Sequence, residues 1–157
     1  MGNVYVQTNE QENRVIAFRR EDDGALTRVG DFPTGGAGDG IPHLTSQGSV
    51  ALTGDGTLLV ANAASGDVTV FTTSEDGLEL LGKTATGGAP KSIAEHDGLV
   101  YVLNSGDPSL AGFRIGDSGL ESVDGARREL ADGSDPAQAG FAPDGSTLLR
   151  LPTTARP

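Results

Sequence analysis

The residue best suited to chemistry is a histidine in a polar loop. His43 lies in GIPHLTSQG, with Ser46 and Gln47 close behind it. An imidazole changes charge near neutral pH, so a loop histidine can bind a phosphate or act as a general base in hydrolysis. The alternative is that His43 only packs within its loop. His43 is our candidate catalytic residue.

A second candidate group is a lysine with three uncharged polar residues. Lys91, in GAPKS, stands where a strand is predicted to begin, and its charge could attract an anionic ligand. Ser49, Ser92 and Gln138 occupy similar places further along the chain and are candidate binding residues with it. Their alternative role is to satisfy backbone groups or to bind water. His96, in AEHDG, precedes a predicted turn and is expected to be exposed.

Local signatures of other chemistries are missing from the sequence. The glycine-rich stretch TGGAGDG at 34–40 lacks the Lys-Ser/Thr of a phosphate-binding loop and is predicted to be a flexible loop. No calcium-loop pattern and no Gly-x-Ser-x-Gly motif occur, and two scattered histidines give no zinc constellation. Without cysteine there is no disulfide or thiolate metal site. We therefore expect neither a cofactor nor a metal.

The charge of the chain argues against two classes of partner. Its 157 residues contain 11 Lys and Arg against 22 Asp and Glu, a formal charge of −11. Such a surface repels phosphate backbones and anionic lipids, so we expect no binding to nucleic acid or membrane. The chain enters strand-like sequence without an apolar leader. We expect it in the cytoplasm, or exported if a leader was removed upstream of residue 1.

The elements that must position these residues are short strands. Glycine (24 residues) and proline (8) interrupt the chain too often for long helices. Between them lie alternating or β-branched runs without a helical period. These runs are Val4–Val6, Val15–Phe18, Leu58–Val60, Val68–Phe71, Val100–Leu103 and Leu148–Leu151. The chain is predicted to be all-β.

Three phenylalanines bring the runs into register. Each follows an Asn by nine residues and precedes a Gly by six, in the triplets Asn9–Phe18–Gly24, Asn62–Phe71–Gly77 and Asn104–Phe113–Gly119. The Phe-to-Phe steps are 53 and 42 residues, and the longer step contains an insertion at 34–48. A period near 42 with several short strands is typical of a β-propeller blade. The three Phe side chains are predicted to be buried at equivalent positions.

The repeats predict a single partial β-propeller domain over 1–157. We expect about three four-stranded blades, with repeats near 2–53, 54–96 and 97–142, one strand of a fourth blade at 143–151 and a tail at 152–157. Further strands in SVALT, SIAE and AGFA are predicted to be the innermost of their blades. Such an incomplete ring would leave open blade edges, so self-association through them is expected.

The stretches VYVQTN, LLVANAASGDVTVF, VYVLNSG and DPAQAGFAPDGSTLL resemble the lactonase-type seven-bladed propellers related to bacterial 6-phosphogluconolactonase. The resemblance implies a ring more than twice this length, with an active cleft over the central channel. It implies hydrolysis of a sugar lactone, with a lactone or sugar acid as the small-molecule partner. The residues implicated in opening the lactone lie largely in later blades. There are two alternatives to a lactonase. The chain could be a non-catalytic propeller that binds a protein or small ligand, or a truncated inactive product.

Overall fold

The computed structural model describes residues 2–41, 47–131 and 133–152. Fourteen strands occur in these residues, and no helix does, so none could cross a membrane. The strands are β1 (Gly2–Gln7), β2 (Arg14–Arg20), β3 (Leu26–Pro33), β4 (Val50–Leu52), β5 (Thr57–Asn62), β6 (Asp67–Ser74), β7 (Gly77–Ala85), β8 (Pro90–His96), β9 (Leu99–Asn104), β10 (Ser109–Gly116), β11 (Gly119–Ser122), β12 (Arg128–Glu129), β13 (Pro136–Phe141) and β14 (Leu148–Pro152).

The strands form four antiparallel sheets in chain order, and the prediction of an all-β propeller is confirmed. Sheet 1 is β1-β2-β3 and sheet 2 is β4-β5-β6-β7. Sheet 3 is β8-β9-β10-β11, with β12 paired to β10, and sheet 4 is β13-β14. Sheet 4 thus has two strands where the sequence indicated one, because the AGFA segment pairs with the run after the next Asp-Gly turn.

In sheets 2, 3 and 4 the innermost strand comes first in the chain. The strands β4, β8 and β13 begin sheets 2, 3 and 4, and β8 contacts both of the others. Sheet 1, within the described residues, has no strand equivalent to β4. The sheets are therefore offset by one strand from the sequence repeats, each of which ends with the inner strand of the following sheet.

Alternation along the strands places one apolar cluster in each gap between sheets. Leu58 and Val60 of β5 face sheet 1, whereas Leu59 and Ala61 face sheet 3. A third cluster, which includes Leu103, fills the gap between sheets 3 and 4. Because successive side chains of a strand point to opposite faces, a central strand contributes to two gaps. This explains why β5 is buried along its whole length.

The three phenylalanines are equivalent by register but not by burial. Phe71 and Phe113 are 2% and 3% exposed, facing sheets 1 and 2 respectively. Phe18 pairs with Val4 as Phe71 pairs with Leu58, yet Phe18 is only half-buried. Phe18 lies on the face of sheet 1 that points away from sheet 2. No sheet formed by described residues covers that face. The burial prediction is confirmed for two of the three.

The asparagine register differs in the first copy. Asn62 and Asn104 end their strands and are fully buried. Asn9 lies in the β1–β2 loop with a φ of 56°, and Thr8 precedes it at the pairing position that Asn62 occupies in sheet 2. This loop is one residue longer than its counterparts, so the equal spacing of Asn9 to Phe18 does not reflect an equivalent position.

Candidate functional site

The predicted binding residues lie at one end of the three inner strands. Ser49 directly precedes β4, Ser92 is the third residue of β8 and Gln138 is the third of β13. Their partners on the second strands are equivalent in register: Ser49 accepts a hydrogen bond from the Ala61 N–H, and Ser92 pairs with Leu103. The prediction that they occupy corresponding places in their repeats therefore agrees with the strand pairing.

Lys91 lies in a β-bulge at this end of the sheets. The pairing of β8 with β9 shifts between Pro90 and Ser92, which leaves Lys91 as the extra residue. The same shift occurs between Pro136 and Gln138 in β13. A bulge turns the side chain of its extra residue away from the regular alternation, and bulges are common beside active sites. Lys91 is the one Lys or Arg within the inner strands β4, β8 and β13.

The ammonium group of Lys91 is paired with a carboxylate from the neighbouring sheet. Lys91 Nζ lies 3.3 Å from Asp135 Oδ1, in the residue just before β13. The side chain of Lys91 is 13% exposed, whereas that of Asp135 is 64% exposed. The Lys91 side chain is therefore mostly covered along its length, whereas its contact with Asp135 lies at the surface. The pairing of Asp135 with Lys91 was not predicted, because only the contact between β8 and β13 brings the two residues together.

Ser92 is occupied by backbone contacts. It is fully buried, and its hydroxyl oxygen accepts a hydrogen bond from the Ala139 N–H at 3.2 Å. The hydroxyl also lies 3.5 Å from the Ala139 carbonyl oxygen, to which it can donate. Ser92 therefore joins β8 to β13 rather than facing open space. Ser49 and Gln138 are half-buried and remain the accessible polar residues of the group.

Of the two histidines, only His96 lies within the described residues. His43 lies outside the described residues, and its predicted catalytic role stays a prediction. His96 is the last residue of β8, five residues from Lys91, or about 17 Å along an extended strand. Its ring stacks on Phe141 with 5.7 Å between centroids, and its Nε2 lies 3.6 Å from Asp97. His96 thus belongs to the opposite end of the sheets.

A buried hydrogen-bond network borders the candidate site and joins sheets 1 and 2. The side-chain oxygen of Asn62 accepts from Asn13 Nδ2 at 2.7 Å and from Thr34 Oγ1 at 2.8 Å. Its amide nitrogen donates to Asp67 at 2.7 Å and to Thr69 at 2.9 Å. All four hydrogen-bonding positions of the Asn62 amide are therefore satisfied inside the protein.

The segment TGGA occurs twice, at 34–37 after sheet 1 and at 86–89 after sheet 2. Each copy packs on the turn between the second and third strands of the following sheet. In the first, the Ala64 N–H donates to the Ala37 carbonyl at 3.0 Å. In the second, the Gly106 N–H donates to Gly88 at 2.8 Å. The first copy was predicted to be a flexible loop, but it is a packed linker. The second occurrence of TGGA in the sequence indicates a repeated structural role and was overlooked.

An acidic side chain strengthens the second copy. Asp107 Oδ1 accepts from the Gly88 N–H at 2.8 Å, and Asp107 Oδ2 lies 2.7 Å from Arg127. Burial opposes the charged form of Asp107, but the Gly88 N–H and the Arg127 guanidinium outweigh it and lower its pKa below the usual value. The carboxylate is therefore held ionised at the contact between linker and turn.

Among residues 2–41, 47–131 and 133–152, no group of three potential ligands is arranged to hold a metal ion. The arrangement at the inner-strand end instead offers the ammonium group of Lys91 and two half-buried polar side chains, Ser49 and Gln138. Such a set can bind an anion and orient water, but it contains no described nucleophile with an adjacent base.

Comparison with known proteins places the chain in a family. Residues 2–131 match the model of the family described as "Lactonase, 7-bladed beta-propeller". The chain belongs to this lactonase family of seven-bladed β-propellers. None of the curated proteins compared with it matches.

Solved structures agree with this assignment at the level of the fold. A protein from Lactobacillus plantarum matches with a TM-score of 0.74 at 14% identity, over 96% of this chain and 47% of its own. Proteins from Bacteroides uniformis and Bacteroides fragilis, each described as a "putative 6-phosphogluconolactonase", match with TM-scores of 0.69 and 0.64 at 16% and 21% identity. Both matches cover 96% of this chain, and 46% and 45% of those proteins. The chain thus spans about half the length of these structures.

Proposed function

We propose that this chain forms part of a propeller that hydrolyses a sugar lactone such as 6-phosphogluconolactone. The family match over residues 2–131 is the observation that carries the proposal. In this reaction water attacks the ester carbonyl, the ring oxygen leaves with a proton, and the open sugar acid is released. Polar groups at the inner-strand end would orient the water and stabilise the developing oxyanion.

The role assigned to Lys91 is to bind the anionic part of the ligand. Its bulge position and its place as the cation of the described inner strands support this role. A positive ammonium group attracts a phosphate or carboxylate, and the cover over most of the Lys91 side chain reduces the solvent that screens this attraction. The exposed carboxylate of Asp135 competes for the same cation. Ser49 and Gln138 would add hydrogen bonds to ligand hydroxyl groups.

We expect the 157-residue chain to bind the sugar acid weakly and to hydrolyse the lactone little or not at all. The described residues form four sheets, and the family is seven-bladed. A cleft over the axis of a propeller takes its walls from all its blades, so four sheets enclose only part of it. Binding at Lys91 and turnover are therefore separate tests.

The binding site is tested by titrating the purified chain with 6-phosphogluconate and measuring the heat of binding by calorimetry. Lys91→Met should weaken binding about tenfold or more, because a charge-assisted contact contributes about 1.5–3 kcal/mol. Asp135→Asn should tighten binding by removing the competing charge. Lys83→Met is the matched control, since Lys83 lies on the outer strand β7 and donates to the Gly35 carbonyl at 2.6 Å.

Equal affinities for the unaltered chain and the Lys91 variant would refute this binding site. Loss of affinity in the Lys83 control as well would mean that net charge, not the site, governs binding. The thermal unfolding curve of each variant shows whether the fold is retained.

A further inference from the structure

The backbone that enters the bulge at Lys91 comes directly from the second TGGA segment, here called linker 2 (86–89). Pro90 alone separates linker 2 from Lys91. Because proline has a fixed φ, the direction in which the chain leaves linker 2 is carried on to the bulge. Ala89, the last residue of linker 2, has a φ of 52°, which residues with a side chain rarely adopt. Such a conformation persists only where surrounding contacts impose it.

The contacts that hold linker 2 come from the turn between β9 and β10. The Ala89 carbonyl accepts hydrogen bonds from the Ser105 N–H at 3.0 Å and from the Ser105 hydroxyl at 3.1 Å. The Gly88 N–H donates to Asp107 Oδ1 at 2.8 Å, and Arg127 donates to Asp107 Oδ2 at 2.7 Å. Asp107 and Arg127 thus form a charged clamp on Gly88, three residues before Lys91.

The first TGGA segment, linker 1 (34–37), is held without charge. Ser65 stands in its turn where Asp107 stands in the turn of sheet 3, and its hydroxyl accepts from the Ala37 N–H at 2.9 Å. Ala37 has no positive φ, in contrast to its counterpart Ala89. Linker 1 leads into the insertion, whereas linker 2 leads into β8. The charged clamp and the left-handed alanine therefore occur together in the linker that Lys91 follows.

Stability alone does not account for this clamp. The side chains of Asp107 and Arg127 are 44% and 47% exposed, and exposed ion pairs stabilise a fold little. We propose that Asp107 and Arg127 are positioning residues for Lys91, which act through linker 2 on the backbone of the bulge and so fix where the ammonium group lies. This inference rests on the proposed role of Lys91 in binding the anionic part of the ligand.

The sign of the effect on affinity separates positioning from charge. Removing the negative charge of Asp107 would by electrostatics alone tighten the binding of an anion. Loss of the clamp instead loosens the bulge and weakens binding. Asp107→Ala should therefore lower the affinity for 6-phosphogluconate several-fold. Asp107→Asn should lower it less, because the amide oxygen can still accept from the Gly88 N–H. Arg127→Met should add little to Asp107→Ala, since both changes remove one contact.

A second readout follows Lys91 without any ligand. The chain contains two lysines, and Lys83 serves as the internal reference because it contacts linker 1 through the Gly35 carbonyl. Trace acetylation with acetic anhydride, quantified by mass spectrometry of the peptides, gives the labelling ratio of Lys91 to Lys83. The Lys91 side chain is 13% exposed, so freeing the bulge should raise this ratio several-fold in Asp107→Ala. Asp117→Asn, at the other end of sheet 3, is the control and should leave the ratio unchanged.

The two readouts fail separately. An unaltered chain that does not bind 6-phosphogluconate would refute the proposed binding site, while the labelling ratio would still test the clamp. A ratio that stays the same in Asp107→Ala and in Arg127→Met would overturn the positioning role, whatever the affinity. Tighter binding by Asp107→Asn would also overturn it and show that charge governs the site. Thermal unfolding identifies any variant that is not folded at the labelling temperature, and the other clamp variant then decides.

Discussion

Single residues at equivalent positions have different energetic roles in this chain, depending on what lies beyond their sheet. Phe71 is enclosed between sheets 1 and 2, while Phe18 lies on an uncovered face. We expect Phe71→Ala to lower the free energy of unfolding by about 3–5 kcal/mol, the usual cost of emptying a buried aromatic site. Phe18→Ala should cost less than half as much in dilute solution. Urea unfolding of both variants measures the difference, and equal losses would contradict it.

Asn62 should contribute more to stability than Asn9, although each precedes its phenylalanine by nine residues. Asn62→Ala leaves the partners of its four hydrogen bonds without their buried counterpart, at a cost on the order of 3 kcal/mol. Asn9→Gly is the comparison, since glycine accepts the positive φ of Asn9 and only exposed contacts with Asp39 are lost. A change in unfolding midpoint as large for Asn9 as for Asn62 would show that the two are equivalent after all.

Residue types predicted candidates at this scale, but contacts decided their roles. Lys91 and Ser92 are adjacent in sequence, yet Lys91 pairs with Asp135 and Ser92 bonds the backbone of Ala139. Nothing in GAPKS distinguishes the two, because the difference arises from β13, more than forty residues further on. The bulge at Lys91 depends on strand register, which sequence spacing does not fix.

At the scale of elements, short strands and turns were predictable because their signals are local. Every apolar run singled out in the sequence lies in a strand. The sequence aligned Asn9 with Asn62 because both precede a phenylalanine by nine residues. That alignment was wrong, because the β1–β2 loop has one extra residue and Thr8 occupies the position of Asn62. The packing of the TGGA linkers was missed because a glycine-rich stretch without a partner is indistinguishable from a flexible loop.

The second linker should make stability sensitive to acid. Its contacts hold the folded-state pKa of Asp107 below the unfolded value of about 3.9. Between these two values the unfolded state binds more protons, so this contribution is fully present above the unfolded pKa and is lost as the pH falls through the folded pKa. Thermal unfolding from about pH 6 to about pH 2.5 should therefore show a steeper loss for the unaltered chain than for Asp107→Asn.

The exposed residue Asp117, in the turn between β10 and β11, provides the control for this measurement. Asp117→Asn should follow the unaltered chain throughout the acid range. Parallel curves for the unaltered chain and the Asp107 variant would mean that the linker contact does not depend on this carboxylate.

At the scale of the whole molecule, the repeat determined the fold class, and the family match supports the same architecture. The repeat could do so because each copy must bury one face on its neighbour, which leaves the same apolar pattern in every copy. Function is less accessible to this reasoning, because a propeller cleft is formed from several blades at once. Four sheets therefore define the inner-strand end around Lys91 but not an entire active site.

The most direct test of the expectation that these four sheets bind the sugar acid without turning over the lactone is a continuous assay of 6-phosphogluconolactone hydrolysis by the purified chain. A sample without protein is required, since the lactone also hydrolyses spontaneously, and His43→Ala is measured beside the unaltered chain. We expect hydrolysis at the spontaneous rate for both proteins, although 6-phosphogluconate still binds at Lys91. Turnover well above the spontaneous rate that is lost in His43→Ala would contradict this account and make the chain an enzyme in its own right.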